Sequence, residues 1–310
     1  MIKDINIYTN KKNKVIFAMI CTALWGSAFP AVKVGYSLFN IEAYDVGSKL
    51  LFAGYRFALA GIIVLLLQLY SKKNIFIVSK EGFKEITYLG FIQTTFQYLF
   101  FYIGMSFTSG VRASILNGLG TFFTIILANY FLKDDKVTKN KILGCIIGFL
   151  GVILVNLSGN NISEGSFSIK GEGLIILSTL MLSISSVYSK KITKKYDPQI
   201  VTGYQLFIGG IILIILGFFL NGRLNGFTIK STTLLIYMSL ISAVAFTIWT
   251  LLIKYNEVSK VAIFNFLMPI FGTAFSGIFL GENIFNINII ISLILVSAGI
   301  YLANSNKEIK

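Results

Sequence analysis

Ten apolar runs of roughly 20 residues divide the chain, at 15–37, 46–70, 85–106, 110–132, 140–158, 172–190, 198–220, 233–254, 258–280 and 286–303. A helix of about that length spans the hydrocarbon layer of a bilayer. Only helices and closed barrels satisfy their own backbone polar groups inside lipid. A barrel would show short alternating strands, whereas these runs are unbroken. Composition agrees: 55% of residues are hydrophobic and 13% charged, against about 25% charged in soluble domains. The formal net charge of +14 does not indicate nucleic acid, because the basic residues recur in short clusters between the runs. Cys21 and Cys145 each lie within an apolar run, so no disulfide, metal or redox chemistry is indicated, and no cofactor is expected.

Lys and Arg fix the expected orientation. The segments on one side carry Lys3, Lys11, Lys12 and Lys14, then Lys72, Lys73, Lys80 and Lys84. They continue with Lys133, Lys136, Lys139 and Lys141, then Lys190, Lys191, Lys194 and Lys195, and finally Lys254, Lys260, Lys307 and Lys310. Glu42, Asp45, Glu164 and Glu172 fall on the other side. The positive-inside rule predicts cytoplasmic termini in a multi-pass protein of the cell (inner) membrane. A signal peptide does not fit the start of the chain, since no small-residue cleavage site follows the first run.

The chain also repeats itself. Gly54-Tyr-Arg-Phe-Ala-Leu-Ala-Gly-Ile-Ile63 returns 149 residues later as Gly203-Tyr-Gln-Leu-Phe-Ile-Gly-Gly-Ile-Ile212, and Tyr88 matches Tyr237 at that offset. At an offset of 148, Asn117 matches Asn265, Phe123 matches Phe271, Leu132 matches Leu280, and Gly151 matches Gly299. Asp134 and Glu282 correspond as well. The repeating unit is five helices, and an odd unit inserts in opposite orientations. The predicted fold is an all-α polytopic membrane protein of ten transmembrane helices in two inverted five-helix repeats. Its parts are a cytoplasmic N-terminal segment 1–14, repeats at 15–158 and 172–303, and a cytoplasmic tail 304–310. Gly54, Gly61, Gly203 and Gly210 are expected to allow close helix packing.

Four stretches resemble the EamA-type ten-helix members of the drug/metabolite transporter superfamily. They are Leu24-Trp-Gly-Ser-Ala-Phe-Pro-Ala-Val-Lys33, Tyr55-Arg-Phe-Ala-Leu-Ala60, Val261-Ala-Ile-Phe-Asn-Phe-Leu-Met-Pro-Ile-Phe-Gly272 closing on Leu280-Gly-Glu282, and Ser297-Ala-Gly-Ile300. The resemblance covers residues 15–303. It departs from the family pattern at Thr121, where the family usually has Pro, and at Lys133-Asp134, which replaces Gly-Glu. Residues 110–132 are therefore expected to form a straighter helix than their counterpart. The resemblance implies export or facilitated movement of small metabolites or amino acids by a monomer or homodimer, and no enzymatic activity.

Polar and aromatic residues at membrane depth supply the candidate substrate site, because polar groups there face a cavity or pair with one another. Gln93 and Gln97 share a helix face beside Tyr98. Asn117 and Asn265 occupy equivalent positions, where they line a cavity or tie helices. Pro269 frees a backbone carbonyl inside its span and marks a bend. Trp25 lies halfway along its run, as an aromatic cavity wall would; Trp249, Ser27 and Tyr188 are weaker candidates. Arg56 is expected either to pair with Glu42 or Asp45 or to bind an anionic substrate group, with a structural role favoured. Lys33 is expected to extend to the outer interface.

No Asp, Glu or His falls deep within a predicted span, which disfavours proton coupling through a buried carboxylate. No nucleotide-binding motif is present. The leading expectation is therefore an alternating-access transporter of small metabolites such as amino acids. The alternatives are a carrier of anionic metabolites using Arg56 and Lys33, and a proton-coupled drug exporter.

Overall fold

A computed structural model describes residues 7–75, 78–108, 110–157, 167–280 and 287–305. Among these residues the regular structure is helical, without strands. The helices are α1 (Lys11–Leu38), α2 (Val46–Tyr70), α3 (80–105), α4 (Gly110–Phe131), α5 (Lys139–Leu157), α6 (Ile169–Ile192), α7 (Pro198–Phe219), α8 (Ile229–Tyr255), α9 (258–280) and α10 (Ile287–Ala303). Seven of them, α1, α2, α4 and α6 to α9, contain a segment long and apolar enough to cross a membrane. Lys3, Glu164, Gly281, Glu282, Lys307 and Lys310 lie outside the described residues.

Capping side chains explain where helix edges depart from the apolar runs. Asn10 accepts from the backbone N–H groups of Lys12 and Asn13, so α1 starts at Lys11 and takes in the last four residues of the predicted N-terminal segment. Ser79 accepts from Gly82 N, and α3 starts five residues before its apolar run. Thr228 and Ser231 form a reciprocal capping box that starts α8 at Ile229. In α7, Asp197 caps a helix whose first residue is Pro198.

Within α3 the stretch Phe91–Phe96 is π-helical, and Gln97 N bonds to Ile92 O, five residues back. A π turn accommodates one extra residue in a helix. Its counterpart α8 is α-helical throughout. The repeat offset falls from 149 at Tyr88 to 148 at Asn117, so the first repeat carries one more residue between these points.

α2 and α7, the helices of the repeated block, pack antiparallel along their length. A Cβ on Gly54 would lie 2.8 Å from Gly210 O, and a Cβ on Gly61 would lie 2.7 Å from Gly203 O. The backbones therefore touch, as small residues allow between membrane helices. Since 54 corresponds to 203 and 61 to 210, each contact is the image of the other under exchange of the repeats.

The same exchange holds for α5 and α10. A Cβ on Gly151 would meet Ser292 O at 2.9 Å, and one on Gly299 would meet Gly144 O at 2.5 Å. α1 packs on α8 and α9, while α6 packs on α3 and α4.

The two chain ends lie on one face. Lys14 Nζ donates to Asn304 Oδ1 at 2.7 Å, and Asn256 Nδ2 donates to Tyr8 O at 3.0 Å. Lys73 pairs with Asp197 at 2.7 Å on that face. At the opposite end, Ser48 Oγ exchanges 2.8 Å bonds with the backbone of Arg223, and Thr108 Oγ1 donates to Glu172 Oε1 at 2.7 Å. Between the ends, the outward surface is apolar: Ile16, Met19, Leu66, Ile215, Phe218, Ile236, Leu240 and Ile294 are exposed. Such a belt is the surface a bilayer covers.

Candidate substrate-binding site

An aromatic wall runs through the middle of the bundle. Trp25 on α1 stands edge-on to Trp249 and Phe246 of α8, with ring centroids 5.1 and 5.3 Å apart. Phe246 meets Phe57 of α2 edge-on at 6.1 Å, and Phe57 packs on Tyr98 of α3 at 4.4 Å. Tyr98 continues to Tyr102 at 6.1 Å. Helical spacing aligns these rings, since Phe246 and Trp249 on α8, three apart, share a face. Rings from both repeats thus form one surface.

Trp25 Nε1, Gln97 Oε1 and Thr247 Oγ1, on three helices of this wall, are buried without a hydrogen-bond partner. Orphaned polar atoms in a buried setting cost about 1–3 kcal/mol each, and a ligand group can satisfy them. The set contains a donor, an acceptor and a hydroxyl that can do either.

Arg56 is 4% exposed. Its Nε donates to Ser242 Oγ of α8 at 2.8 Å, and its guanidinium lies 5.0 Å from the centre of the Phe57 ring. The expected pairing with a loop carboxylate is not what the structure shows for Asp45, whose Oδ1 instead caps α2 by accepting from Ser48 N at 2.9 Å. At the equivalent place in the second repeat, Gln205 Oε1 accepts from Thr94 Oγ1 of α3 at 2.8 Å.

The remaining sequence candidates divide by location. Trp249 is buried beside Trp25, away from the helix-end position typical of an interface anchor. Gln93 is buried within the π stretch of α3. Ser27 donates to Leu24 O at 2.8 Å and shares a 2.8 Å bond with Tyr237, so its hydroxyl is engaged. Asn117 and Asn265 are half-buried where α4 crosses the first part of α9. There Thr121 Oγ1 donates to Ala262 O at 3.3 Å. Tyr188 is set apart: it stands edge-on to Tyr88 at 5.4 Å, in a cluster with Ile86, Leu89 and Ile192 toward the termini face. Lys33 is exposed.

Pro269 acts as its chemistry requires. It lacks the N–H that would bond to the carbonyl four residues back, that of Asn265, and Ile263–Phe266 tightens into a 3-10 turn. α4, with Thr121 in place of Pro, is one continuous α-helix.

Phe57, Phe246, Ser242 and Thr247 escaped the sequence analysis. The signal for two of them was present in the spacing of Ser242, Phe246 and Trp249 on one helix face.

The termini face is closed by charge. Lys141, 1% exposed, bonds Asp135 Oδ1 and Glu257 Oε2, each at 2.7 Å. Asp135 also accepts from Ser259 N at 2.9 Å and from its hydroxyl. Lys260 bonds Glu257 Oε1 at 2.7 Å. Burial pushes the Glu257 carboxyl up, but its bonds to Lys141 and Lys260 outweigh this and hold it below the ordinary value. Lys190 Nζ caps the end of α8 by donating to the carbonyls of Ile253, Lys254 and Asn256, each at 2.8 Å. A separate groove of about 490 Å³ at this end, lined by Ile75, Val78, Phe83, Lys84 and Tyr204 among others, stands apart from the aromatic wall.

The fold and its wall can be set against known proteins. Residues 12–157, and again residues 169–305, match the EamA-like transporter family. The chain belongs to the EamA-like transporter family.

It is accordingly a multi-pass membrane transporter rather than an enzyme. This EamA-like chain is similar to an uncharacterized transporter of Archaeoglobus fulgidus, at 25% identity over 96% of this chain and 99% of the relative. It is also similar to the uncharacterized transporter YyaM of Bacillus subtilis, at 28% identity over 76% and 81%. A probable amino-acid metabolite efflux pump of Salmonella typhimurium is 24% identical over 92% of each chain. One solved crystal structure shares its fold, with a TM-score of 0.76 and 14% identity over 93% of this chain and 95% of the other.

Proposed function

We propose that this EamA-like transporter moves small metabolites such as amino acids out of the cell by alternating access. In this reading all ten helices cross the cell membrane, with both termini in the cytoplasm, as two inverted five-helix halves. The observation that carries it is the exchange-related packing. α2 runs antiparallel to α7 and α5 antiparallel to α10, with contacts at Gly54–Gly210 and Gly61–Gly203 that swap when the repeats are swapped. Equivalent helices that run in opposite directions are what an inverted repeat requires.

The substrate site is the aromatic wall, where Trp25, Gln97 and Thr247 supply the unsatisfied polar atoms. Asn117 and Asn265, at equivalent depth in the two halves, flank it. Apolar and aromatic surface holds the body of a small metabolite, and a few polar groups orient it. Opening toward the cytoplasm requires release of the Asp135–Lys141–Glu257 cluster and the Lys190 cap. Opening outward requires release of Ser48 from Arg223 and of Thr108 from Glu172. The 3-10 turn before Pro269 and the π turn of α3 are the places where helices can bend. A transporter alternates by rocking one half against the other about such a site.

The test is reconstitution in liposomes loaded with a mixture of the amino acids, followed by mass spectrometry of the external medium. Release of one or more of them beyond protein-free liposomes, abolished by the double variant Trp25→Ala with Gln97→Ala, is expected. No release by the unaltered chain would overturn the reading.

A further inference from the structure

We propose that Arg56 is the receptor for a carboxylate of the transported metabolite, an inference that rests on the transport reading above. The two halves are mismatched at this position. Arg56 and Gln205 are equivalent, and each ties the second helix of its half to the third helix of the other: Arg56 to Ser242 and Gln205 to Thr94, both at 2.8 Å. The tie needs one side-chain hydrogen bond, which an uncharged amide supplies in the second half. The charge of Arg56 therefore has a purpose beyond the tie.

Among the described residues the guanidinium has no counter-ion. A guanidinium stays charged inside a protein, and a buried cation is costly unless paired. Arg56 is 4% exposed, yet among the described residues no carboxylate forms an ion pair with it. Its hydrogen bond to Ser242 uses Nε, which leaves the two Nη groups. That end of the guanidinium presents two parallel N–H donors, the geometry that holds a carboxylate bidentately. The Tyr98 ring packs on that of Phe57 at 4.4 Å, beside the guanidinium.

An aromatic surface lies alongside. Phe57, beneath the guanidinium, continues through Phe246 to Trp25. Next to Tyr98, Gln97 Oε1 is a buried acceptor without a donor. A zwitterion fits this order: carboxylate on Arg56, ammonium toward Gln97, and an apolar side chain along the rings. Lys49, seven residues earlier and so on the same face of α2, lies 5.7 Å from the Tyr36 ring. Its ammonium donates to the Ala43 carbonyl and to Ser106 Oγ, which holds a second positive charge at the end opposite the termini.

The experiment compares acids with their amides. Liposomes carrying the full chain are loaded with equal amounts of the amino acids and the corresponding amino-acid amides, and release is read by mass spectrometry against protein-free liposomes. The expected result is release of at least one free acid, with its amide released at least about 10-fold more slowly. Arg56→Gln, which copies the second half and can keep the tie, should lower release of the acid by about 10-fold or more while its unfolding temperature stays near that of the parent. Amides released as fast as acids, or Arg56→Gln releasing the acid at the parental rate, would overturn the role of Arg56 and leave transport standing. If Arg56→Gln proves unstable, the acid–amide ratio of the unaltered chain still decides. Release of neither acids nor amides by the unaltered chain would overturn both the transport reading and this one.

Discussion

Arg56 and Ser242 meet at 2.8 Å across the two repeats, and Gln205 and Thr94 make the same bridge from the other side at the same distance. This equivalent pair of bridges carries a charge in one half and none in the other. Loss of a hydrogen bond to a charged group costs about 1.5–3 kcal/mol. Neutral bonds between membrane helices average about 0.6 kcal/mol. Ser242→Ala is expected to destabilise the solubilised protein more than Thr94→Val, as read by their thermal unfolding midpoints.

The contact between α2 and α7 has no room to spare. A Cβ on Gly210 would lie 2.3 Å from Ala58 N, a separation no real contact tolerates, whereas at Gly173 the nearest atom is 3.6 Å away. Gly210→Val should force the helices apart at a cost of several kcal/mol, above the usual ~1–3 kcal/mol of core overpacking, because the opposing atoms are backbone. Gly173→Ala should be close to neutral. Yields of folded, monodisperse protein in detergent check the pair.

The ionic cluster at the termini face makes a prediction about pH. The folded-state carboxyl of Glu257 sits below its ordinary value because Lys141 and Lys260 bond to it. Its contribution to stability is therefore complete above the unfolded-state value of about 4.3 and is lost as pH falls from there through the lower folded-state value. Glu257→Gln should lower stability at neutral pH and flatten this part of the acid limb. Lys141→Met leaves Asp135 buried without its ammonium partner and should cost more, about 3–5 kcal/mol. Unfolding midpoints between pH 3 and pH 7 separate the two.

Trp25 and Trp249 are the chain's only tryptophans, and their rings meet 5.1 Å apart. Intrinsic fluorescence therefore reports on the aromatic wall itself. A transported amino acid should shift or quench this emission with saturation, and Gln97→Ala should weaken its apparent affinity by about 10-fold, the equivalent of ~1.4 kcal/mol.

Much of this architecture is written in local chemistry. Apolar runs marked the helices because burial in lipid demands length and hydrophobicity together. The Gly-Tyr block marked the α2–α7 contact because close backbones demand glycine. Trp25 and Gln97 stood out because polar or large amphipathic groups seldom sit at mid-span without use. What escaped was set by register and by partners distant in sequence. Phe246 and Phe57 look like any core residue until α1, α3 and α8 are brought together. For Arg56 the sequence offers Glu42 or Asp45 as partner, because Ser242 lies 186 residues away. Tyr188 shows the converse: a weaker candidate near the inner end of its helix by sequence, it packs beside Tyr88, away from Trp25.

The most direct measurement of the central claim is the small-molecule content of the medium around cells that overproduce the chain. Cells making the parent should accumulate at least one amino acid or related metabolite outside, and cells making the Trp25→Ala, Gln97→Ala double variant at equal membrane abundance should not. Indistinguishable media from the two would contradict the account.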